Sequence, residues 1–242
     1  KGINEQWSAQ RRPKDVADSI VRIIKKIEEV DKEEVLSIAI RIHKLFLDKA
    51  TELKDYYTKP SEGISSQQLV EHIYSLINNV PDKGNTPQRI CGIILDVFHD
   101  SVDSRITVEG LTHEACTTNT TSKKPGDLIE VHDNGKIFKI YEISVKPIDL
   151  NRIKDSWESI NDYNRSINNK IFEVVYLCRS QDIAKLHIGR ENELVMGITR
   201  FNDVNFIFID IFKWIKNFLD INFNNEGIKL LYNKINAYIE NK

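Results

Sequence analysis

The sequence contains few cysteines, and none of them forms a recognisable pattern. Cys91, Cys116 and Cys178 lie far apart, and no two of them form a C-x-x-C pair. This spacing argues against a disulfide framework and against a zinc finger. We therefore expect a cytoplasmic protein in a reducing environment.

The sequence also lacks a long apolar run and a dominant charge. No stretch of about 18 apolar residues occurs, and no signal peptide is recognisable, so we expect no membrane partner. The formal net charge is only −2. Any nucleic-acid surface must therefore be a local patch rather than a field over the whole molecule.

Several common catalytic motifs are missing as well. The sequence has no P-loop, no G-x-G-x-x-G, no H-E-x-x-H pair and no visible Ser–His–Asp arrangement. Its apolar content of 40% is nevertheless enough for a real core. With 242 residues, we expect one large domain carrying a helical extension.

Residues 1–80 are predicted to form an N-terminal helical region. After an irregular lead-in, apolar residues at helical spacing predict a helix from about Asp15, a second with Asp31 as its N-cap, and a third capped by Ser65. We expect these helices to form a bundle with a structural or dimerising role.

Residues 81–242 are predicted to form a mixed α/β domain with helices on both sides of the sheet. Its first helix is expected to begin at Thr86 and Pro87. The predicted elements are a helix at 86–99, a strand at 105–108, a hairpin at 127–146, a helix at 149–164, a strand at 171–178, a helix at 181–190, a strand at 204–209, and helices at 210–219 and 226–239.

The hairpin is the most informative stretch. Asn134 and Gly135 lie between two apolar-rich runs and predict a two-residue turn. Side chains alternate along a strand, so Ile143 and Val145 are expected to face the core.

The other face of the second hairpin strand carries Glu142, Ser144 and Lys146, opposite the region of Asp127. Two carboxylates and a lysine at one point are costly to bring together unless they bind a divalent metal or perform chemistry. Phosphodiester hydrolysis fits this set, because carboxylates hold Mg²⁺ through hard oxygen ligands and a nearby cation stabilises the transition state.

The hairpin also carries a motif. Pro-Gly-Asp at 125–127 is followed, fourteen residues later, by Glu-Ile-Ser-Val-Lys at 142–146. This pattern resembles the PD-(D/E)xK nuclease motif, in the version found in type II restriction endonucleases of the SacI-like group. The resemblance implies a restriction-endonuclease-like αβββαβ core with a mixed central sheet, here joined by the N-terminal helical bundle and the C-terminal helices.

The resemblance also implies a set of site residues. Asp127 and Glu142 correspond to the acids that bind Mg²⁺, and Lys146 to the catalytic lysine. The usual pattern has lysine two residues after the acid, whereas this sequence has Ser144 there, which we include among the candidate catalytic residues. Lys123 and Lys124 are further candidates for the lysine role.

Four basic residues are candidates for contact with DNA phosphates. Lys123 and Lys124 end a polar loop that leads into the hairpin. Arg89 lies near the start of the helix at 86–99, and Arg152 near the start of the helix after the hairpin.

Together these observations predict a Mg²⁺-dependent endonuclease that cuts double-stranded DNA as a homodimer, a restriction enzyme or its nuclease domain. Two alternatives stay open. One is a repair or defence effector nuclease of the same fold. The other is a catalytically weakened DNA-binding module, suggested by Ser144 at the lysine position.

Overall fold

The computed structural model describes residues 3–11, 14–55, 63–111, 124–166, 170–186 and 193–240, with residues 49–55 described as backbone only. The chain divides into two compact units, Lys1–Thr58 and Lys59–Lys242.

The described part of the first unit is helical. Its helices are α1 (Glu5–Ala9), α2 (Lys14–Glu28) and α3 (Lys32–Asp55). The irregular lead-in predicted before α2 is wrong, because the Asn4 side chain accepts the Trp7 N–H and caps α1. The predicted N-cap of α3 is confirmed, since Asp31 Oδ1 accepts the N–H groups of Glu33 and Glu34.

Apolar burial in this unit is small. Ala17 and Val21 of α2 are buried, and α1 packs against α2. Most apolar side chains of α3 whose exposure is described are exposed, among them Leu36, Ile40 and Phe46.

The second unit combines helices with a sheet. Its helices are α4 (Ser66–Asn79), α5 (Asn85–Ser101), α6 (Leu150–Ser166), α7 (Ile211–Asn222) and α8 (Asn225–Glu240), with 3₁₀ turns at Asp82–Gly84 and Ser180–Leu186. Helix α4, which the sequence groups with the N-terminal helices, packs against α5, α7 and α8. Ser65 and Gln68 form the capping box of α4, as the N-cap prediction requires.

Six strands form one mixed sheet. The strands are β1 (Ile106–Glu109), β2 (Leu128–His132), β3 (Ile137–Ser144), β4 (Glu173–Cys178), β5 (Val195–Phe201) and β6 (Val204–Asp210). Their order is β1-β2-β3-β4-β6-β5; β3, β4 and β6 are parallel, and the other neighbours are antiparallel. The mixed α/β class is therefore confirmed.

Both faces of the sheet are covered. On β3, the Glu142 side chain contacts α6, whereas that of its neighbour Tyr141 contacts α7 through Trp214. Because successive side chains point to opposite faces, α6 lies on one face of the sheet and α7 on the other. The sequence predicted a core face at Ile143 and Val145, but β3 is buried on both faces at this end.

Two predicted elements differ from the structure, and one strand was missed. The first helix of the α/β domain begins at Asn85 after Gly84, which has a positive φ, and not at Thr86. The segment 181–190 was predicted as a helix, but Ser180–Leu186 is a 3₁₀ turn. Strand β5 was not predicted at all. Within the described residues, no helix has both the length and the apolar character that a membrane span requires.

Candidate active site

The site begins with the predicted hairpin. The structure confirms the hairpin but not its turn, because three residues separate the paired His132 and Lys136. The His132 N–H donates to Lys136 O at 2.9 Å, and the Gly135 N–H donates to His132 O at 2.8 Å. Only Gly135, with φ +78°, has a positive φ in this turn, whereas the predicted two-residue turn requires two such residues.

The register of the hairpin brings the two acids together. The pairing of β2 with β3 shifts by one residue after Glu130, which leaves Phe138 as the extra residue of a β-bulge. Beyond the bulge, the Asp127 N–H donates to Tyr141 O at 3.0 Å. Asp127 therefore lies across from Glu142, on the same face of the sheet.

Asp127 is held from several sides. Its Oδ2 accepts the Ile143 N–H at 2.8 Å, and its carboxyl hydrogen-bonds with that of Glu142. Burial raises the pKa of Asp127, although the Ile143 N–H, the Arg152 charge and the Glu142 carboxyl act in the opposite direction. Two carboxyl groups in contact, one of which resists ionisation, form a site suited to a divalent cation.

Glu142 is almost fully buried, with 5% of its surface exposed. The Ser156 hydroxyl, from α6, donates to Glu142 Oε1 at 3.0 Å. On the neighbouring parallel strand, Tyr176 lies in register with Glu142, so both side chains point toward α6.

The Tyr176 hydroxyl has an unusual environment. The residue is fully buried, and no hydrogen bond of good geometry reaches its hydroxyl within the described part of the chain, although the Ser156 hydroxyl lies near enough to lower the pKa of Tyr176. Burial raises the pKa of Tyr176, and the Glu142 charge raises it further. Ser156 therefore interacts with both Glu142 and Tyr176.

Arg152 supplies a positive charge that acts on the candidate site. It precedes Ser156 by one helical turn, so both residues lie on the same face of α6. Its backbone N–H donates to Asp149 Oδ1 at 3.0 Å, which anchors the start of the helix. The side chain is partly buried, and the guanidinium lowers the pKa of Asp127.

The predicted strand through Lys146 is wrong, because β3 ends at Ser144 and the chain bends. The Ser144 hydroxyl donates to Lys146 O at 3.1 Å and accepts the Lys146 N–H at 3.2 Å. Arg179 holds the same bend, donating to Val145 O at 2.6 Å while it pairs with Asp182. Lys146 is therefore exposed beyond the strand, and Ser144 shapes the bend.

The other DNA-contact candidates lie in different places. Lys124 Nζ lies 3.5 Å from Glu109 Oε2. The Arg89 guanidinium lies over the ring of Tyr238, 5.5 Å from its centroid. Lys123 lies outside the described residues. The structure therefore brings Asp127, Glu142 and Arg152 together, but not Arg89.

A metal at this site would rely on few protein ligands. In the described ranges, no group of three or more His, Cys, Asp or Glu side chains is arranged to hold a metal ion. Mg²⁺ is commonly held by one or two carboxylates, with waters and substrate phosphate oxygens as its remaining ligands. Asp127 and Glu142 fit that pattern.

Sequence reasoning missed three residues that complete the site. Ser156 and Tyr176 come from elements that fold over the hairpin, so spacing within the hairpin does not reveal them. Gln88 of α5 donates to Gly110 O at 3.1 Å and to Asp127 O at 3.3 Å. The available signal was a polar side chain in an otherwise apolar setting, as for Tyr176 in its buried strand.

No protein-family model matches this sequence, and a search of curated protein sequences returned no match.

Proposed function

We propose that the protein is a Mg²⁺-dependent endonuclease that hydrolyses phosphodiester bonds in double-stranded DNA. The observation that carries the proposal is the contact between the Asp127 and Glu142 carboxyls across the β2–β3 pair. The two acids lie beside a cation, Arg152, and two hydroxyls, those of Ser156 and Tyr176. Two acids beside a cation are what a site for a metal ion and a phosphate requires.

The order of the elements supports the same proposal. Along the chain, α5, β1, β2, β3, α6 and β4 follow one another as in the αβββαβ core that the motif implies. The two acids lie on β3 and immediately before β2, at the places where the motif sets its metal ligands. We therefore propose a restriction-endonuclease-like core and a cytoplasmic enzyme of that kind.

The proposed roles follow from the contacts. Asp127 and Glu142 would hold Mg²⁺, which when bound supplies charge stabilisation and lowers the pKa of a bound water. The Ile143 N–H orients Asp127, and the Ser156 hydroxyl orients Glu142. In the hydrolysis, the water oxygen forms a new bond to phosphorus, and the bond to the leaving sugar oxygen breaks. The attacking water gives a proton to solvent, and solvent protonates the leaving oxygen.

The basic residues near the site suit the DNA backbone. Lys146 is exposed beyond the end of β3, and Lys124 lies at the start of the hairpin. We propose that both contact phosphates. A symmetric homodimer is part of the proposal, because one site cuts one strand and a duplex has two.

The experiment is cleavage of a mixed-sequence duplex pool with Mg²⁺, followed by sequencing of the ends. We expect cleavage by the wild type and a loss of at least about 100-fold in Asp127→Asn and Glu142→Gln, because charge stabilisation is lost. Glu158→Gln is the matched control, since Glu158 is an exposed acid on α6. Intact DNA with the wild type, or full activity in Asp127→Asn, would contradict the proposal.

The same experiment distinguishes the proposed function from two alternative functions. Preferential cleavage of branched or modified DNA would indicate a repair or defence nuclease. A catalytically weakened DNA-binding module is favoured by one observation, the exposure of Lys146 outside β3. Salt-sensitive DNA binding without metal-dependent cleavage would select that function.

A further inference from the structure

Arg152 is a partly buried cation whose guanidinium makes no ion pair or hydrogen bond within the described residues. A guanidinium carries five N–H donors and stays charged at all working pH values. Its charge acts on Asp127 and on Tyr176, which are both parts of the candidate active site. Its donors are therefore available to a ligand at that site.

The geometry of α6 supports a position of the Arg152 side chain beside Asp127 and Glu142. Ser156, one turn further along α6, reaches Glu142 Oε1 at 3.0 Å. Arg152 lies on the same face of the helix, toward the end of β3 where the strand stops at Ser144. Asp149 caps this end of α6 through the Arg152 N–H and fixes the first turn.

The motif assigns the cation of the site to the lysine two residues after the second acid on β3, and this chain has Ser144 at that position. Position 144 is a serine whose hydroxyl is engaged in the bend, and Lys146 is exposed beyond the strand. The bend is itself held by Arg179. A return of Lys146 onto the strand would break these contacts.

We infer that Arg152 takes the place of the motif lysine and binds the scissile phosphate beside the Asp127–Glu142 pair. This inference rests on the proposed function. The guanidinium fork donates to two non-bridging oxygens of the phosphate, and it neutralises the charge that builds up as the water oxygen bonds to phosphorus. It transfers no proton, because arginine does not deprotonate in proteins. The water proton therefore leaves to solvent, and solvent protonates the leaving oxygen.

The test compares single-turnover cleavage of duplex DNA with Mg²⁺ by Arg152→Gln, Arg152→Lys and Lys146→Gln. Removal of one such donor set lowers the rate by about 100-fold or more, so we expect that loss in Arg152→Gln. We expect a smaller loss in Arg152→Lys, which keeps the charge, and in Lys146→Gln. Arg165→Gln is the matched control, an exposed arginine on the same helix, and should keep the wild-type rate.

Two further measurements distinguish a role of Arg152 in the reaction from a purely structural role. Methylguanidinium ion should restore part of the rate of Arg152→Ala, which a merely structural residue would not permit. A ¹³C NMR titration should show a higher pKa for Asp127 in Arg152→Gln than in the wild type, because a neighbouring cation is gone.

The outcomes distinguish the two proposals. Wild-type activity in Arg152→Gln together with loss in Asp127→Asn would overturn the role of Arg152 alone. A loss in Lys146→Gln that matches the loss in Arg152→Gln, without rescue by methylguanidinium, would also overturn it. If the wild type cleaves no DNA, the proposed function fails and the role of Arg152 in cleavage fails with it, whatever the titration shows.

Discussion

At the scale of single residues, the site depends on one carboxyl that resists ionisation. Asp127 is half-buried, and desolvation raises its pKa despite the Ile143 N–H and the Arg152 charge. Its nearest partner is another acid, Glu142. The Asp127 carboxyl therefore keeps its proton to a higher pH than an exposed aspartate, whose pKa is about 3.9.

This shift predicts a pH dependence of stability. Between the unfolded and the folded pKa of Asp127, the folded protein binds a proton that the unfolded chain does not. The contribution of Asp127 to stability is therefore complete below about pH 3.9 and is lost as the pH rises through the higher folded pKa. Thermal unfolding from pH 4 to 8 should show the wild type losing stability relative to Asp127→Asn.

Mg²⁺ should reverse this loss in the wild type. A cation present at 100 times its Kd stabilises the folded protein by about 2.7 kcal/mol. We expect that gain at neutral pH and its disappearance in Asp127→Asn. Asp155→Asn, an exposed aspartate on α6, is the control and should retain it. Equal stabilisation of the wild type and Asp127→Asn by Mg²⁺ would contradict a metal site at this carboxyl.

At the scale of elements, three neighbours hold the start of β2. Gln88 of α5 donates to the Gly110 and Asp127 carbonyls. Gly110, just after β1, has φ +99°, and a Cβ there would lie 2.1 Å from Asp127 O. Gly126 lies against β3, where a Cβ would come within 2.5 Å of Ile140 Cγ2. The position of Asp127 is thus set by α5, β1 and β3 together.

Gly110→Ala should therefore disturb the site and the fold at once. A positive φ costs a residue with a side chain about 1–3 kcal/mol, and the contact with Asp127 O adds to that cost. Gly135→Ala is the control, because Gly135 also has a positive φ but faces open space. Denaturant unfolding should show the larger loss for Gly110→Ala, and only this variant should lose the stabilisation by Mg²⁺. Equal losses in the two variants would contradict the close approach.

Several parts of this architecture follow from local sequence. Ser65 and Asp31 are good caps with a free backbone N–H in reach, and both were predicted. The apolar run of β4 is predictable because a strand buried on both faces is apolar throughout. Strand β5 escapes prediction because it lies at the sheet edge, where only Met196 is buried and the residues after it alternate between intermediate and exposed.

The candidate site is only half predictable. The Asp127–Glu142 pair follows from the hairpin, because strand pairing is local and alternation fixes the face. The end of β3 cannot be predicted from the hairpin, because the bend at Lys146 depends on Arg179, more than 30 residues later. The Tyr176 hydroxyl and the Ser156 contact depend on how α6 and β4 fold over β3. Spacing within the hairpin carries no information about them.

At the scale of the whole molecule, the proposed cleavage of both strands of a duplex calls for two sites. One chain offers one Asp127–Glu142 pair, and the two strands of DNA run in opposite directions. A twofold dimer presents two equivalent sites in the matching orientation. The chain has a mass of 28.1 kDa, so a dimer is readily distinguished by light scattering after gel filtration.

We expect a particle of twice the chain mass at the concentrations used for cleavage. A mixing experiment makes the test sharper. When the wild type is mixed with an excess of Asp127→Asn, mixed dimers hold one active site and should nick one strand of a circular duplex. Separate monomers should instead give the same products at a lower rate. Double-strand cleavage unaffected by the excess would contradict the dimer.

The bulge at Phe138 has a consequence for how such sites change during evolution. Phe138 is 53% exposed and lies between the hairpin turn and the acids. Deletion of this residue would straighten β3 and leave the same pairs opposed, so Asp127 would still lie across from Glu142. The number of residues between the two acids is therefore free to vary at the far end of the hairpin. Strand pairing, rather than a fixed spacing in the sequence, therefore determines that Asp127 lies across from Glu142.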